Sequence, residues 1–308
     1  MLDLRSRGDL QGLAARLAPD FVYRARGAWP MWPYYGGPMS RSQFTGAVAR
    51  VNAEFDLVEW DSHEFLVEGE SVAAHVTVSA RNRGAGAPVE FDIWFYFRFR
   101  EELLAEAAMY VDAARAARLL PGGLVEVHPH AGARARSPAV AEPPSQRGAV
   151  RTDAAASGET ENGAPASVRE RMAMERAARG FFALRAKGDS AAMLGRLAPD
   201  FVYNPLGTWT KAPLMADRCD RATFAESLRL VNVEFEDLGG EVHEMVVDGD
   251  RIAVHRTIRV RNRGAGEIAQ VDEWVCFRVR TGLIVEMASY VDSVRAAQVD
   301  KPPYAPAR

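Results

Sequence analysis

The sequence predicts an α+β fold that occurs twice in the chain. Shifting the 308-residue sequence by 180 positions aligns residues 1–119 with 181–299 without a gap, and 48 of these 119 pairs are identical. In each copy the helical patterns come first and the β-rich segments come last, which is typical of α+β rather than α/β domains. A repeat of this length indicates two whole domains rather than a solenoid of small units.

The composition is typical of a soluble globular protein. Hydrophobic residues make up 48% of the chain, the formal net charge is −3, and basic and acidic residues are mixed throughout. Nucleic-acid binding needs a basic stripe, so we expect no nucleic-acid partner. No segment reaches the roughly 18 apolar residues of a membrane span, and the N-terminus lacks a signal-peptide pattern, so we expect no membrane partner. Cys219 and Cys276 are too few for a disulfide framework or a zinc cluster. These features favour a cytoplasmic protein of bacterial type with no cofactor and no metal site.

The repeat divides the chain into four segments. We expect domain 1 at residues 1–120, a linker at 121–167, domain 2 at 168–300 and a tail at 301–308. The linker is rich in Pro, Gly, Ala and Ser and has almost no large apolar side chains. Such a composition cannot offset the entropy of ordering, so we expect a flexible segment. The HPH motif within it is interpreted as solvated residues rather than as metal ligands.

The two copies differ at their first helix. In the second copy, apolar residues recur at helical spacing from Met172 to Leu184, and Gly188 ends the helix. The first copy enters this pattern only at Met1. The sequence therefore predicts a shortened first helix in domain 1.

The remaining elements of each copy follow in an order that is clearest in the second copy. Turn motifs such as VDGDR and RTG join the β-rich segments into an antiparallel meander. The predicted elements are a short helix at 189–198, a strand ending at Tyr203, a helix near 221–235, and strands at 242–248, 251–261, 269–280 and 283–292.

This order of elements, with the words LAPDFVY, RNRGAG and YVD in both copies, resembles the SnoaL-like, nuclear transport factor two-like and ketosteroid isomerase-like superfamily. The resemblance covers nearly all of each copy. It implies tandem cystatin-like cone folds, in which a curved antiparallel sheet wraps around helices and encloses a small-molecule pocket. It also implies that the outer face of the sheet packs against a partner subunit.

The register of that superfamily assigns one face of each strand to the pocket, because alternate strand residues point the same way. The outward residues are mostly identical between the copies, whereas the inward residues mostly differ. A solvated face has no reason to keep a tryptophan, a tyrosine and matched charges, whereas a face packed on its own twin does. We therefore predict an intramolecular pseudo-dimer, which is compatible with a monomeric chain. The alternatives are a face covered by the linker or preserved by recent duplication. The recurring outward residues of the first copy include His75, Thr77, Arg81, Asp92, Trp94, Arg98, Glu106, Tyr110 and Asp112.

The catalytic acids of the similar enzymes are absent from both copies. The aspartate positions of limonene epoxide hydrolase hold Ile258 and Ser289 in the second copy, and Val78 and Met109 in the first. Isoleucine, valine and methionine side chains cannot activate water. The oxyanion donor of ketosteroid isomerase is likewise replaced, by Val275 or Phe95.

Domain 2 nevertheless places polar residues inside its predicted cone. Arg256, Glu273 and Ser289 stand where the first copy has Val76, Ile93 and Met109. Burying polar groups is costly unless they are paired or serve a ligand. Two alternatives remain open: a structural Arg256–Glu273 ion pair, or a site in which Glu273 is the acid/base, Arg256 stabilises negative charge and Tyr203 donates a hydrogen bond.

The sequence thus favours a small-molecule binding protein for an apolar or polycyclic ligand. It leaves open whether domain 2 also acts as an isomerase, cyclase or hydrolase. The alternative is a non-catalytic binding or assembly protein. In domain 1 the apolar cone and its aromatic loop are either plain core or a ligand site. His63 and His243 each precede a glutamate, and they are interpreted as structural because adjacent strand residues face opposite ways. The predicted ligand-binding residues are Asn204, Trp209, Ile258, Val275, Phe277 and Ser289 in domain 2, and Tyr23, Trp29, Phe95, Phe97 and Met109 in domain 1.

Overall fold

The computed structural model describes residues 8–26, 38–84, 86–119, 167–206 and 218–291. Domain 1 contains, in chain order, α1 (Leu10–Ala15), β1 (Leu17–Arg26), β2 (Met39–Ser40), α2 (Arg41–Glu54), β3 (Phe55–Glu68), β4 (Ser71–Asn82), β5 (Val89–Arg100), β6 (Leu103–Val111), α3 (Ala113–Ala116) and a 3-10 turn (Ala117–Leu119). Domain 2 contains α4 (Val168–Ala186), α5 (Ser190–Leu194), β7 (Leu197–Leu206), β8 (Cys219–Asp220), α6 (Arg221–Glu234), β9 (Phe235–Asp248), β10 (Arg251–Asn262), β11 (Ile268–Arg280) and β12 (Leu283–Val291).

Each domain forms one six-stranded mixed sheet. The strand orders are β2-β1-β6-β5-β4-β3 and β8-β7-β12-β11-β10-β9, which are the same topology repeated. The first long strand of each domain runs parallel to the last, and the other pairings are antiparallel. The inner face of each sheet packs on its helices around an apolar core. The predicted tandem α+β cone folds are confirmed.

Three element boundaries differ by more than two residues from the sequence-based expectation. The strand predicted to end at Tyr203 continues to Leu206. The short helix predicted at 189–198 ends at Leu194, and Leu197 already pairs with Ile284 in the sheet. The helix ends at its C-cap residue Gly195, because Leu197 is already held by its pairing in the sheet. The strand predicted at 242–248 begins at Phe235, directly after α6.

The first helix of domain 2 forms as expected from its sequence. Ser167 caps α4 in a capping box with Glu170, so the last residue of the predicted linker belongs to the helix cap. The helix ends at Ala186, and Gly188 follows with a φ of +68°, a conformation that favours glycine. The shortened counterpart in domain 1, the rest of the linker, the tail, Trp29 and Trp209 lie outside the described residues. None of the described helices is long and apolar enough to cross a membrane.

The outward faces of the two sheets contact each other. Trp94 stacks on Trp274, its counterpart 180 positions later, with ring centroids 5.4 Å apart and planes 6° apart. Around this pair lies a buried apolar cluster drawn from both domains, which we call the interdomain cluster: Leu66, Ala73, Trp94, Tyr96, Ala108, Tyr110, Val246, Ala253, Trp274, Cys276 and Tyr290.

The hydrogen bonds at the edge of the interdomain cluster are reciprocal. The amide of Val67 donates to the carboxylate of Asp248 at 3.1 Å, and the amide of Val247 donates to Glu68 at 3.0 Å. Each donor and each acceptor has its counterpart 180 positions away. Reciprocity of this kind is typical of isologous interfaces.

Replacing the stacked tryptophans tests this contact in solution. Each of Trp94→Ala and Trp274→Ala is expected to lower the free energy of unfolding by about 3–5 kcal/mol. In the double variant the two losses should fall short of additivity by about 0.5–1.5 kcal/mol, because each single change already breaks the stack. Urea denaturation measures all four species. Trp60→Ala combined with Trp274→Ala is the control and should be additive, because Trp60 belongs to the inner face of domain 1. Additive losses for the Trp94 and Trp274 pair would contradict the observed contact.

Candidate functional site

The cone of domain 1 encloses an apolar cavity. Its volume is about 110 Å³, and it lies between the inner face of the sheet and helix α2. Most of its wall is aliphatic or aromatic, with Asn52 as a polar member. The principal lining residues are Tyr23, Phe44, Trp60, Phe91, Ile93 and Met109.

Two of the predicted ligand-binding residues of domain 1, Tyr23 and Met109, line this cavity. Phe95 and Phe97 lie on the same inner face and belong to the surrounding core, with ring centroids 5.2 Å apart. Trp60 stacks on Phe95 at 5.9 Å and is a lining residue that the sequence analysis missed.

Comparing the two copies could have identified Trp60 as a pocket residue, because the two domains differ strongly at this position. Its counterpart is Gly240, where an added Cβ would lie 2.1 Å from the backbone oxygen of Thr257. Domain 2 therefore has no room for a side chain where domain 1 places a tryptophan. The wall of the first cone is built differently at this point.

In domain 2, the aromatic residues of α4 fill part of the cone. Phe181 and Phe182 pack on Phe277 with ring centroids 5.4 and 5.5 Å away. The guanidinium carbon of Arg256 lies 3.8 Å from the centre of the Phe182 ring. This position over an aromatic face stabilises the cation.

Arg256 and Glu273 form the ion pair that the sequence left as one alternative. They are neighbours across β10 and β11, and the Arg256 Nε donates to Glu273. Two further residues, missed by the sequence analysis, complete a buried quartet. Arg185 of α4 lies 3.5 Å from Glu273 and 3.2 Å from Asp237, and Arg256 lies 3.7 Å from Asp237. Two cations and two anions balance, which lowers the cost of burying each charge.

The sequence could have identified Asp237 as a polar residue of the inner face, because its counterpart in domain 1 is the apolar residue Leu57. Arg185 carried none, because its counterpart is also arginine.

The electrostatics of the quartet keep Glu273 ionised. Burial acts to raise the pKa of Glu273, but the guanidinium groups of Arg256 and Arg185 outweigh it, so the pKa is lowered. The side chain is 1% exposed. A carboxylate held by two cations is a weak proton acceptor.

Tyr203 lies near the quartet and is paired with Ser289. Their hydroxyl oxygens are 2.6 Å apart. Burial raises the pKa of Tyr203 to about 12, so the hydroxyl stays protonated at neutral pH. Tyr203 can therefore donate a hydrogen bond, and it shares one with Ser289.

The other predicted residues of domain 2 fall into two groups. Ile258, Val275 and Phe277 are buried, and Val275 and Phe277 belong to the core of the inner face. Asn204 follows Tyr203 on β7 and faces the opposite way, where its amide nitrogen donates to Glu286 at 2.7 Å. Asn204 is thus not brought together with Tyr203 and Ser289.

Exchanging the ion pair for its domain 1 counterparts tests whether it serves only the fold. The double change Arg256→Val/Glu273→Ile should leave the free energy of unfolding within about 1 kcal/mol of the parent, because Arg185 and Asp237 still pair. Glu273→Ile alone should cost about 3–5 kcal/mol, since it leaves buried cations unpaired. Urea denaturation of the parent and both variants measures these changes in the free energy of unfolding. A large loss of unfolding free energy in the double variant would mean that the ion pair stabilises the fold by more than the cost of burying its charges.

The same variants predict a difference in acid stability. A pKa lowered in the folded state contributes stability that is present above the unfolded value, here 4.5, and is lost as pH falls through the folded pKa. The parent should therefore lose more stability than Arg256→Val/Glu273→Ile when the pH is lowered below 4.5. Parallel denaturation curves at a series of acidic pH values measure this, and identical pH slopes would refute it.

Comparisons with known proteins agree with this fold. A family model described as a SnoaL-like domain matches residues 1–107 and 178–287. An NTF2-like protein from Burkholderia xenovorans LB400 is 22% identical over 42% of this chain and 97% of its own, with a TM-score of 0.36. An NTF2-like protein from Burkholderia pseudomallei K96243 is 20% identical over 41% and 96%, with a TM-score of 0.38. An LEH-like epoxide hydrolase from M. tuberculosis is 19% identical over 42% and 89%, with a TM-score of 0.35. A search of curated protein sequences finds no match. With two matched segments that together cover more than half of its length, the chain belongs to the SnoaL-like domain family.

Proposed function

We propose that the chain is a small-molecule binding protein whose ligand occupies the apolar cone of domain 1. The observation that carries this proposal is the cavity between α2 and the sheet. Concave, mostly apolar pockets with few polar groups are the usual sites for small ligands. Tyr23, Trp60 and Met109 would contact the ligand, and Asn52 would offer it a polar partner.

The size of the cavity limits the ligand. Its volume is about 110 Å³. An engineered apolar cavity of about 150 Å³ holds one benzene molecule. The proposed ligand is therefore an apolar molecule close to one ring in size, such as a simple aromatic or a small terpenoid, rather than an intact steroid.

Domain 2 has a supporting role in this proposal. Phe182 covers Arg256, and Glu273 gives its carboxylate to two guanidinium groups. These contacts support a structural quartet. Catalysis by Glu273, Arg256 and Tyr203 is the competing hypothesis, and it requires that Glu273→Gln abolish turnover of a substrate.

The proposal also includes the assembly and the location of the chain. We propose that domains 1–120 and 168–300 form an intramolecular pseudo-dimer through the interdomain cluster, which leaves the chain monomeric. Solution scattering that showed two separated lobes would contradict it. A cytoplasmic location stays part of the proposal on the basis of the two free cysteines, Cys219 and Cys276.

Filling the cavity tests the proposed function. Ala47 lines the cavity from α2, and leucine in its place should occupy part of the space. We expect single-ring aromatics and small terpenoids to raise the melting temperature of the parent, and Ala47→Leu to lose this effect. At a ligand concentration of 100 times Kd the stabilisation is about 2.7 kcal/mol.

The matched control is Ala53→Leu, on the exposed face of the same helix, which should keep the ligand effect. The same melting-temperature measurements should also include steroids, aromatic polyketides and terpenoid epoxides as test ligands. Ligand stabilisation that survives Ala47→Leu but disappears in Glu273→Gln would place the site in domain 2 instead.

A further inference from the structure

A second cluster of chemically active side chains lies outside both cones, on the outward face of domain 2. It consists of His243 on β9, His255 on β10 and Asp272 on β11. One ligand atom from each residue lies within 4.8 Å of the others. The three positions are separated by 12 and 17 residues along the chain, so no short motif reveals them.

A β-bulge in β9 assembles this cluster. The pairing with β10 shifts between His255, opposite Glu244, and Arg256, opposite Val242, which leaves His243 as the extra residue. His243 and Glu244 therefore both reach the outward face: His243 contacts the Thr257 hydroxyl at 2.7 Å, and Glu244 contacts His255. The expectation that adjacent residues of this strand face opposite ways is wrong here, because of the bulge.

The hydrogen bonds of His255 fix which nitrogen is available. Its Nδ1 contacts the carboxylate of Glu244 and lies 3.0 Å from the Tyr110 hydroxyl of domain 1. An ionised carboxylate only accepts hydrogen bonds, so Nδ1 carries the hydrogen. In the neutral ring, Nε2 then presents a lone pair.

The Nε2 atom of His255 faces a carboxylate. The Nε2 atom of His255 is fully buried and makes no hydrogen bond to any described residue. The Asp272 Oδ1 lies 3.5 Å away from it. Either a proton on Nε2 or a bound metal ion would place positive charge between these two atoms.

We propose that His243, His255 and Asp272 bind a divalent transition-metal ion of the zinc class. Two imidazoles and a carboxylate are a usual zinc ligand set, with room for a fourth ligand. Glu244 would act on His255 as carboxylates commonly act on metal-bound histidines, by holding the ring through its other nitrogen. Because Tyr110 also contacts this ring, the ion would lie beside the contact between the two domains.

The geometry requires one small movement. Ligand atoms about 2.1 Å from a tetrahedral zinc are about 3.4 Å apart, so a separation of up to 4.8 Å must close by roughly 1.4 Å. His243 is exposed and can make this movement. It would exchange its contact with Thr257, whose hydroxyl also donates to Asp272 at 2.6 Å.

Domain 1 supplies a built-in comparison. His63, His75 and Asp92 are the counterparts of the three ligands, and the His75 Nε2 lies 3.4 Å from Asp92. Glu64, the counterpart of Glu244, instead contacts Arg251 at 2.8 Å. The carboxylate that orients the histidine in domain 2 is thus directed elsewhere in domain 1, and the proposal is confined to domain 2.

Metal titration of the full chain tests this site. After treatment with a chelator, Co²⁺ should bind with a stoichiometry of one per chain and give the visible absorption of four-coordinate cobalt, and Zn²⁺ should displace it. His243→Ala should abolish this spectrum, and Glu244→Gln should weaken binding about 10–100-fold. His63→Ala is the matched control and should bind like the parent. Circular dichroism and melting temperature establish that each variant is folded.

Three results would overturn the proposal. One is the absence of saturable Co²⁺ or Zn²⁺ binding by the folded parent. Another is an equal loss in His63→Ala and His243→Ala, which would indicate nonspecific histidine binding. The third is an imidazole nitrogen spectrum that shows both nitrogens of His255 protonated and unchanged by Zn²⁺, which would mean that a proton separates the two acceptors.

Discussion

The packing of Trp94 on Trp274 is the contact on which the rest of this structure depends. The two indoles lie at equivalent positions of two equivalent sheets, and their stacking brings the outward faces together. The buried aromatic rings cover the outward face of each sheet at this point. Only the inner faces then remain to enclose a cavity. The reciprocal bonds of Glu68 and Asp248 hold the register of the two sheets around the same centre.

The two cones have opposite chemistry although they share one backbone topology. In domain 1 the inner face is apolar and leaves a cavity beside Trp60. In domain 2 the aromatic end of α4 and the quartet of Arg185, Asp237, Arg256 and Glu273 occupy the inner face. In a buried, balanced ion network the charges already have partners, whereas an apolar cavity leaves contacts unmade that a ligand can supply. This difference is why ligand binding is proposed for the first cone.

Much of the fold could be predicted from sequence, because it depends on patterns of period 2 and 3.6 and on the internal repeat. Strand alternation and the register of the resembled superfamily assigned the faces of the strands. The resulting prediction that Arg256 and Glu273 point inward agrees with their contact across β10 and β11. The quartet was only half found, because Arg185 reaches Glu273 from a helix 88 residues away along the chain. The histidine cluster was missed for a different reason. A β-bulge at His243 interrupts the alternation of inward and outward side chains. A single extra residue of this kind cannot be recognised in the hydrophobic pattern of the sequence.

The reciprocal contacts at the edge of the interdomain cluster also bear on how such a protein can change over time. In a homodimer of identical subunits, every substitution appears in both pockets at once, so a residue that suits one site is imposed on the other. Joining the two halves in one polypeptide removes that constraint while the tryptophan stack is retained. Valine at position 76 and arginine at position 256 can then coexist, as they do here. A single polypeptide can thus carry two different pockets behind two matched outward faces.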